Sequence, residues 1–437
     1  MKLPLTARIL AGMLLGIATG VACHAMLPSA DATQVGGYFS LFADLFLRLV
    51  KMIIAPLVFC TLVIGVTRIG DVHAVGRIGL RTLGWFLVAS FISLVLGALL
   101  ANWLHPGSAL GLPLPAADAS SGLNANALSL KEFVVHLVPS SIVEAMASNE
   151  ILQIVVFAAF FSVGLTTLGE KAQLVVRLLD QVSHVMLKVT GYVMALAPFA
   201  VFGAIANVVA TRGVSVLVTY GRFMGEFYAS LIALWLLLIL AGGALLGRRV
   251  FALVRFMRVP MLVGFSTASS ESVYPKTLEQ LERFGVPKRI ASFVLPIGYS
   301  FNLDGTMMYC TFATLFIAQA YGVHLSFMQQ VSMLAILMLT SKGMAAVPRA
   351  SLVVIAATLG QFNIPEAGLL LIMGVDHFLD MGRTATNVLG NAVASAAVAK
   401  WEGVLAPSLP EVIPDGDAGR HHSGGFRSED EAAVAKV

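Results

Sequence analysis

Near its C-terminal end the chain reads Asp376-His-Phe-Leu-Asp-Met-Gly-Arg-Thr-Ala-Thr-Asn-Val-Leu-Gly-Asn391, and this stretch lies inside the apolar run 367–398. On an α-helix, six of its polar residues fall within about 100° of arc and form one stripe. These six are Asp376, Asp380, Arg383, Thr384, Asn387 and Asn391. A charge at the centre of a lipid-spanning helix costs about 2.5–3.5 kcal/mol on insertion scales. The stripe therefore predicts a polar path inside a helix bundle and is the first candidate for a functional site.

The composition of the chain indicates a polytopic membrane protein. Its 437 residues are 58% hydrophobic and 12% charged, with a mean hydropathy of +0.86, which leaves too little polar surface for a water-soluble globule. The net charge of +4 comes from bases in short loops, where they orient helices, so no nucleic-acid partner is expected. Cys23, Cys60 and Cys310 are dispersed in apolar segments and are interpreted as packing residues.

Six apolar runs are long enough for bilayer-spanning helices. They cover about 8–27, 41–66, 80–104, 131–167, 173–209 and 215–247. Basic residues alternate between the connections, with an exception at Arg212 and Arg222, so the positive-inside rule predicts that both termini face the cytoplasm. The first run resembles a signal peptide, but the spans that follow it fit an uncleaved first helix at least as well.

Two shorter apolar pieces follow, and each is interrupted near its middle. The first, 259–284, breaks at Ser266-Thr-Ala-Ser-Ser-Glu-Ser272 and has basic residues at both ends, whereas the second, 327–360, breaks within 341–351 and has no basic residue in its flanking loops. They are predicted to be re-entrant hairpins that enter from opposite faces. Each precedes a helix with polar residues, at 288–320 and 366–400, which is typical of the inverted repeats of secondary transporters. The tail 401–437 is polar and predicted to be disordered.

The chemistry of these breaks indicates an anionic ligand and a bound cation. Helix N-termini at a hairpin tip present open N–H groups, and Ser269 and Ser270 add hydroxyls, which suits an anionic ligand. Helix 288–320 is itself interrupted near Asn302, Asp304 and Gly305, where unwound backbone and a carboxylate are typical of a cation site. Structural interpretations stay open, since the serines could cap a loop, Asp380 could simply pair with Arg383, and Asp376 could serve the fold.

Four sequence runs resemble the dicarboxylate/amino acid:cation symporter family, which includes the glutamate transporters. They are Phe46-Leu-Arg-Leu-Val-Lys-Met-Ile-Ile-Ala-Pro-Leu-Val-Phe59, Ser269-Ser-Glu-Ser272, Gly298-Tyr-Ser-Phe-Asn-Leu-Asp-Gly305 and Leu379-Asp-Met-Gly-Arg-Thr-Ala-Thr-Asn387. The resemblance implies an all-α protein with eight transmembrane helices and two re-entrant hairpins, assembled as a homotrimer in a bacterial inner membrane. It implies six helices within 1–258, of which helices 1, 2, 4 and 5 form a trimerisation scaffold. Helices 3 and 6 would join the core 259–400 in a transport domain that slides like an elevator.

The same resemblance assigns roles to the stripe. Arg383 would bind a substrate side-chain carboxylate, and Asp380 would accept from the α-ammonium. The remaining substrate groups would contact Ser269, Ser270, Thr306, Val347, Thr384 and Asn387. Because both charges are present, the substrate expected is L-glutamate or L-aspartate. A C4-dicarboxylate symporter is the alternative, and no cofactor is expected.

The coupling ion follows from departures from the family's sodium-coupled pattern. Asn391, Leu303, Phe86 and Ala89 stand where that pattern has sodium-site residues, although Ser90 is retained. These losses indicate proton coupling, with Glu271 as the first candidate for the proton carrier and Asp304 and Asp376 behind it. Sodium coupling remains an alternative, with Asn302, Asp304 and Asn387 as possible ligands. The other residues in this expectation are Ser341 and Lys342, where the lysine could act as a tethered cation or extend to the membrane interface.

Two functions from other classes fit less well. An intramembrane hydrolase could use Ser269 or Ser270 with Lys342, or Asp304 with Asp380, but the chain lacks the nucleophile turn and the aspartyl context that these enzymes need. An anion channel would use Arg383 and Arg349 but leaves Asp380 unexplained. The chain is therefore not expected to be an enzyme. Ala346 and Arg349 replace glycines that flank Val-Pro in relatives, which leaves the second hairpin's flexibility open.

Overall fold

The structure is a computed structural model that describes residues 5–69, 72–108, 114, 135, 137–213, 220–341, 350–373 and 375–407. Within these ranges the regular secondary structure is helical throughout, which confirms the all-α prediction. The α-helices are α1 (Leu5–Met26), α2 (Ser29–Ile69), α3 (Val72–Leu104), α4 (Ile142–Ala147), α5 (Ile151–Leu168), α6 (Gln173–Met194), α7 (Ala197–Arg212), α8 (Gly221–Leu246), α9 (Arg249–Thr267), α10 (Tyr274–Phe284), α11 (Lys288–Phe301), α12 (Asp304–Ala320), α13 (Phe327–Thr340), α14 (Ala350–Gln361), α15 (Leu369–Met373) and α16 (Asp376–Trp401).

Six helical stretches of the described residues are long and apolar enough to cross a membrane. They are Ala7–Met26, Ala30–Thr67, Ala74–Leu104, Ile151–Met194, Gly221–Leu246 and Arg249–Thr267. Their length and hydropathy agree with a polytopic membrane protein. The sixth stretch coincides with α9, which begins ten residues before the predicted first hairpin and is by length alone able to span.

Two predicted spans are each divided in the structure. The run 131–167 is interrupted before α5, where Asn149 takes a left-handed conformation with φ of +56°. The run 173–209 divides into α6 and α7 at Ala195 and Leu196, just before Pro198 in the first turn of α7. Proline has no backbone N–H and cannot continue a helix from the preceding turn, so the chain begins a new helix there.

Helix α16 lies at the centre of the molecule, with α8, α9, α11 and α12 packed around it. Its side chains from Met381 to Ala399 are all buried, and the small residues in its second half let the neighbouring helices approach closely. Helix α3 packs along α12, whereas α1, α2, α5, α6 and α7 pack on one another. Helix α2 also contacts α11, where an added Cβ on Gly65 would lie 3.0 Å from Ser292 Oγ.

Residues 402–407, which were predicted to belong to a disordered tail, form specific contacts, whereas the rest of that predicted tail lies outside the described residues. Glu402 accepts from Arg77 Nη2 at 2.9 Å and Arg81 Nη1 at 2.8 Å, both from α3. Ala406 N donates to the Gly285 carbonyl at 3.0 Å, and Arg249 Nη1 donates to the Ala406 carbonyl at 2.6 Å. These bonds tie the starts of α3 and α9 and the end of α10 together, and we call residues 402–407 the C-terminal clasp. The polar composition of the tail did not reveal these backbone partners.

Candidate functional site

The helix that was predicted to be interrupted breaks at Asn302 and Leu303. Both residues have non-helical backbone angles, with ψ of 64° and 59°, and separate α11 from α12. The Asn302 and Asp304 side chains are fully buried. Ser90 of α3 donates at 3.2 Å to the carbonyl of Phe301, the last residue of α11, so Ser90 also lies at the break. Breaks of this kind are tolerated at membrane depth when the backbone is buried in protein.

Five polar side chains from two helices and the break meet here, and we call them the amide cluster: Asn302, Asp304, Thr306, Asn387 and Asn391. Asn387 Oδ1 accepts from the Gly305 backbone N–H at 2.8 Å, and its Nδ2 donates to Thr306 Oγ1 at 3.1 Å. Asn302 Nδ2 donates to Asn391 Oδ1 at 3.3 Å. The cluster thus joins the start of α12 to the middle of α16 and holds one carboxylate among neutral amides.

Two glycines permit this close approach of α12 and α16. A Cβ on Gly305 would lie 2.6 Å from the Arg383 carbonyl oxygen, and a Cβ on Gly390 would collide with Asp304 Oδ2. Neither position has room for a side chain, because real Cβ atoms do not approach other atoms so closely. The Asp304 carboxylate therefore lies directly against the backbone of α16.

A second group of side chains surrounds Arg383, and we call it the guanidinium cluster: Asp376, Tyr309, Asp380, Ser351 and Arg383. Arg383 Nη2 lies 2.9 Å from Asp380 Oδ1 and 3.5 Å from Asp376 Oδ1, and Nη1 donates to Ser351 Oγ of α14. The guanidinium carbon lies over the Tyr309 ring, 4.1 Å from its centroid. Tyr309 in turn donates to Asp376 Oδ1 at 2.8 Å. One cation is thus held by two carboxylates, a hydroxyl and an aromatic face.

The predicted stripe occupies one helix, α16, and all of its residues except Thr384 belong to these two clusters. Five of its six residues are buried, while the Asp380 side chain keeps 31% of its surface exposed. Thr384 is buried beside Gly264 of α9, whose added Cβ would lie 3.3 Å from the Thr384 methyl. The predicted pairing of Asp380 with Arg383 is therefore present without excluding a ligand, because Asp380 remains open on one side.

The first hairpin turns where the sequence breaks. Helix α9 ends at Thr267, Ala268 takes a left-handed conformation, and α10 packs back against α9. Ser269 Oγ accepts from the Ser272 backbone N–H at 3.3 Å, as expected if the serine caps the turn. Glu271 lies in a 3₁₀ turn that packs against α2, where Lys51 and Glu150 are the charged groups that act on it electrostatically.

The remaining predicted residues divide into described and undescribed ones. Ser341 is buried and donates to the Met338 carbonyl of its own helix at 3.1 Å. Phe86 is buried, and its ring lies 3.3 Å from an added Cβ on Gly298. The predictions for Lys342, Ala346, Val347 and Arg349 lie outside the described residues.

Two residues of the guanidinium cluster had no role assigned from the sequence. Tyr309 lies one helical turn beyond Thr306, and this spacing on a broken helix is a signal that could have identified it. Ser351 lies within the break recognised in the second hairpin, but nothing local shows that its hydroxyl meets Arg383 across 32 residues. Contacts between separate helices carry no periodic signature in one sequence.

The arrangement suits a small anion that also carries an ammonium group. Arg383 is 2% exposed, and its Nε makes no hydrogen bond to any described residue, so the guanidinium retains donors for a carboxylate. The half-exposed edge of Asp380 provides an acceptor beside it. No group of three or more His, Cys, Asp or Glu side chains that could hold a metal occurs in the described parts of the chain.

Comparison with known proteins gives the family. The profile of the Sodium:dicarboxylate symporter family matches residues 5–401. The proton/sodium-glutamate symport protein of Bacillus subtilis (strain 168) is 37% identical over 419 residues, covering 94% of this chain and 96% of the relative. That of Geobacillus stearothermophilus is 39% identical over 408 residues, with coverages of 92% and 95%. The C4-dicarboxylate transport protein of Laribacter hongkongensis (strain HLHK9) is 38% identical over 402 residues, with coverages of 91% and 88%. The chain therefore belongs to the sodium:dicarboxylate symporter family, whose members are secondary transporters and not enzymes.

Proposed function

We propose that this protein is a symporter that imports L-glutamate and L-aspartate together with cations, protons first among them. The observation that carries the proposal is the buried Arg383 beside the half-exposed Asp380 on one face of α16. An acidic amino acid presents a side-chain carboxylate and an ammonium group, and each would find its opposite charge here. Leaving either protein charge without a partner in a low-dielectric site would be costly, which favours a ligand that carries both groups.

Binding exchanges partners within the guanidinium cluster. In the structure Asp380 Oδ1 lies 2.9 Å from Arg383 Nη2. A substrate that brings a carboxylate to Arg383 and an ammonium to Asp380 replaces this internal pair with two intermolecular pairs. The residues proposed to hold the rest of the substrate are Ser269, Ser270, Thr306, Thr384 and Asn387, together with Val347 outside the described residues.

The relatives support two substrate classes. The glutamate symport proteins agree with the acidic amino acid, and the C4-dicarboxylate transport proteins agree with the alternative substrate. A C4-dicarboxylate has no ammonium group and would leave Asp380 facing a second negative charge. Asp380 therefore favours the amino acid.

Proton coupling is proposed because, among its described side chains, the amide cluster offers one carboxylate, and a cation site binds more weakly when fewer of its oxygen ligands are charged. Asn391 is neutral and already accepts from Asn302. Glu271, whose neighbours include Lys51 and Glu150, is the proposed proton carrier, with Asp304 and Asp376 as further candidates. A weaker sodium site at Asn302, Asp304 and Asn387 is the alternative, and Ser341 and Lys342 belong to the same coupling proposal.

The architecture proposed for transport has eight membrane helices, two re-entrant hairpins and a homotrimeric assembly in the bacterial inner membrane, with both termini in the cytoplasm. The packing of α1, α2, α5, α6 and α7 on one another supports a scaffold, and the helices around α16 support a separate transport domain. The contact between α2 and α11 would be a surface along which that domain slides.

The experiment is uptake of radiolabelled L-aspartate into proteoliposomes, first under a proton gradient without sodium and then under a sodium gradient at equal pH. Proton-driven uptake that Arg383→Ala abolishes is the expected result, and Glu271→Gln should then uncouple it. Strict sodium dependence would overturn the proton proposal and leave the substrate proposal standing. Succinate uptake without L-aspartate uptake would establish the dicarboxylate alternative.

A further inference from the structure

We infer that Ser351 is a positioning residue for the substrate-binding guanidinium of Arg383. The inference rests on the proposed function, since it concerns how Arg383 is held for a substrate carboxylate. Ser351 lies at the start of α14, the second limb of the second hairpin, and is 5% exposed. Its Oγ accepts from Arg383 Nη1, and this hydrogen bond joins α14 to the guanidinium.

The other contacts of Arg383 leave its orientation incompletely fixed. The Tyr309 ring, whose centroid lies 4.1 Å from the guanidinium carbon, makes a cation–π contact that gives no directional bond to any one nitrogen. Both carboxylates lie on one side, at Nη2, and pull the group towards α16. Ser351 anchors the opposite nitrogen, Nη1, and so opposes this pull. A planar fork binds a carboxylate through two parallel bonds only when its orientation is fixed, so the anchor matters for affinity.

The chemistry of a hydroxyl suits this role. An Oγ that accepts from Nη1 still has its own O–H to donate. A substrate carboxylate bound to the guanidinium would lie close to this O–H and could accept from it. Thr358, two helical turns further along α14, behaves differently. It is fully buried, and its Oγ1 donates to the Val354 carbonyl of its own helix at 2.8 Å. Thr358 therefore provides a matched control for removing a buried hydroxyl from this helix.

The test measures the dissociation constant of L-aspartate by calorimetry on purified full-length protein. Ser351→Ala removes the anchor, and Ser351→Cys removes the hydroxyl at nearly constant volume, so a cavity cannot explain a shared effect. Both should weaken binding by roughly tenfold or more, as expected for a lost bond to a charged group. Ser351→Thr retains the hydroxyl and should stay within about threefold of wild type, and Thr358→Val should stay within about twofold.

The outcomes separate this inference from the proposed function. Wild-type binding of L-aspartate, lost in Arg383→Ala but unchanged in Ser351→Ala and Ser351→Cys, would overturn the role of Ser351 alone. Equal losses in Ser351→Thr, Ser351→Cys and Thr358→Val would show a merely structural effect and overturn it as well. If wild type binds succinate and not L-aspartate, the proposed substrate fails, and the same variants titrated with succinate decide the role of Ser351. Binding of neither ligand removes both proposals.

Discussion

A guanidinium that is 2% exposed is stable in a protein only if its neighbours replace the water it has lost. Around Arg383 this replacement comes from unlike groups: two carboxylates, a hydroxyl and an aromatic ring. A lysine could not reproduce it, because a point-like ammonium lacks the two terminal nitrogens that bond to Ser351 on one side and to the carboxylates on the other. The site depends on arginine geometry as well as on positive charge.

Tyr309 has two separable roles, which substitutions should distinguish. Tyr309→Phe keeps the ring under Arg383 and removes the bond to Asp376, so we expect a loss of about 1–3 kcal/mol in unfolding free energy. Tyr309→Leu also removes the stacking and should lose about 1–2 kcal/mol more. Denaturation of purified protein measures both, and Tyr192→Phe, on an exposed side chain, should change little. Equal stabilities of the Phe and Leu variants would contradict a role for the ring.

Gly305→Ala should disrupt the amide cluster. The added Cβ would lie 2.6 Å from the Arg383 carbonyl oxygen, so α12 must move away from α16 and Gly305 N must leave Asn387. We expect a destabilisation of about 1–3 kcal/mol, typical of overpacking, together with loss of uptake. Gly225→Ala is the control, since that position has open space around it. Wild-type uptake by Gly305→Ala would show that the close approach is dispensable.

At the scale of the helices, the left-handed residue that ends α9 is an alanine where glycine is usual. Ala268 has φ of 49° and ψ of 33°, a conformation that costs an L-residue about 1–2 kcal/mol. Ala268→Gly should therefore stabilise the protein by about 0.5–1 kcal/mol after the added chain entropy of glycine is subtracted. Ala252→Gly in the regular part of α9 should instead cost about 1 kcal/mol. Thermal denaturation compares the two variants. If both are destabilised, the left-handed conformation of Ala268 is not strained.

The C-terminal clasp should contribute measurable stability through Glu402. Its side chain is 7% exposed and accepts from two arginines that are 52% and 38% exposed. Glu402→Gln is expected to lose about 1 kcal/mol, and less at high salt, since the exposed arginines are screened. Glu279→Gln, at a carboxylate that is 38% exposed, should lose at most about 0.5 kcal/mol. Equal losses would show that burial of Glu402 adds nothing.

The helices show which features of the site a single sequence reveals. The stripe on α16 and the break at Asn302 were predicted because charge in an apolar run and interruption of that run are local signals. The division of the run 173–209 also had a local signal, Pro198, which hydropathy alone does not register. Ser351 and the clasp had no such signal, since their partners come from distant parts of the chain.

At the scale of the whole molecule, the elevator proposal predicts that α11 moves past α2. A Cβ on Gly65 would lie 3.0 Å from Ser292 Oγ, so Gly65→Cys with Ser292→Cys should form a disulfide once Cys23, Cys60 and Cys310 are replaced. Oxidation should abolish uptake, reduction should restore it, and L-aspartate should still bind the oxidised protein. Gly65→Cys alone should not respond to oxidation. Uptake by the crosslinked protein would contradict sliding at this contact.

The global fold was predictable in class but not in arrangement. Composition and charge placed the chain in a membrane, and its sequence motifs gave the family, which the comparison confirms. The packing of α3 along α12 leaves no trace in local hydropathy, because an apolar side chain has the same hydropathy whether it packs on another helix or on lipid. The proposal that α3 belongs to a transport domain rests on the family resemblance alone.

The charge balance of the two clusters has an electrical consequence. Together they hold three carboxylates, Asp304, Asp376 and Asp380, against the single guanidinium of Arg383, and a bound acidic amino acid adds one more net negative charge. In the proposed elevator mechanism, a membrane potential would act on every uncompensated charge that crosses with the site, at about 2.3 kcal/mol per elementary charge per 100 mV. With all three carboxylates ionised, an inside-negative potential would oppose movement of the loaded site towards the cytoplasm until enough cations have bound. The number of cations bound per substrate would then decide whether the membrane potential opposes, does not affect or drives accumulation of the substrate.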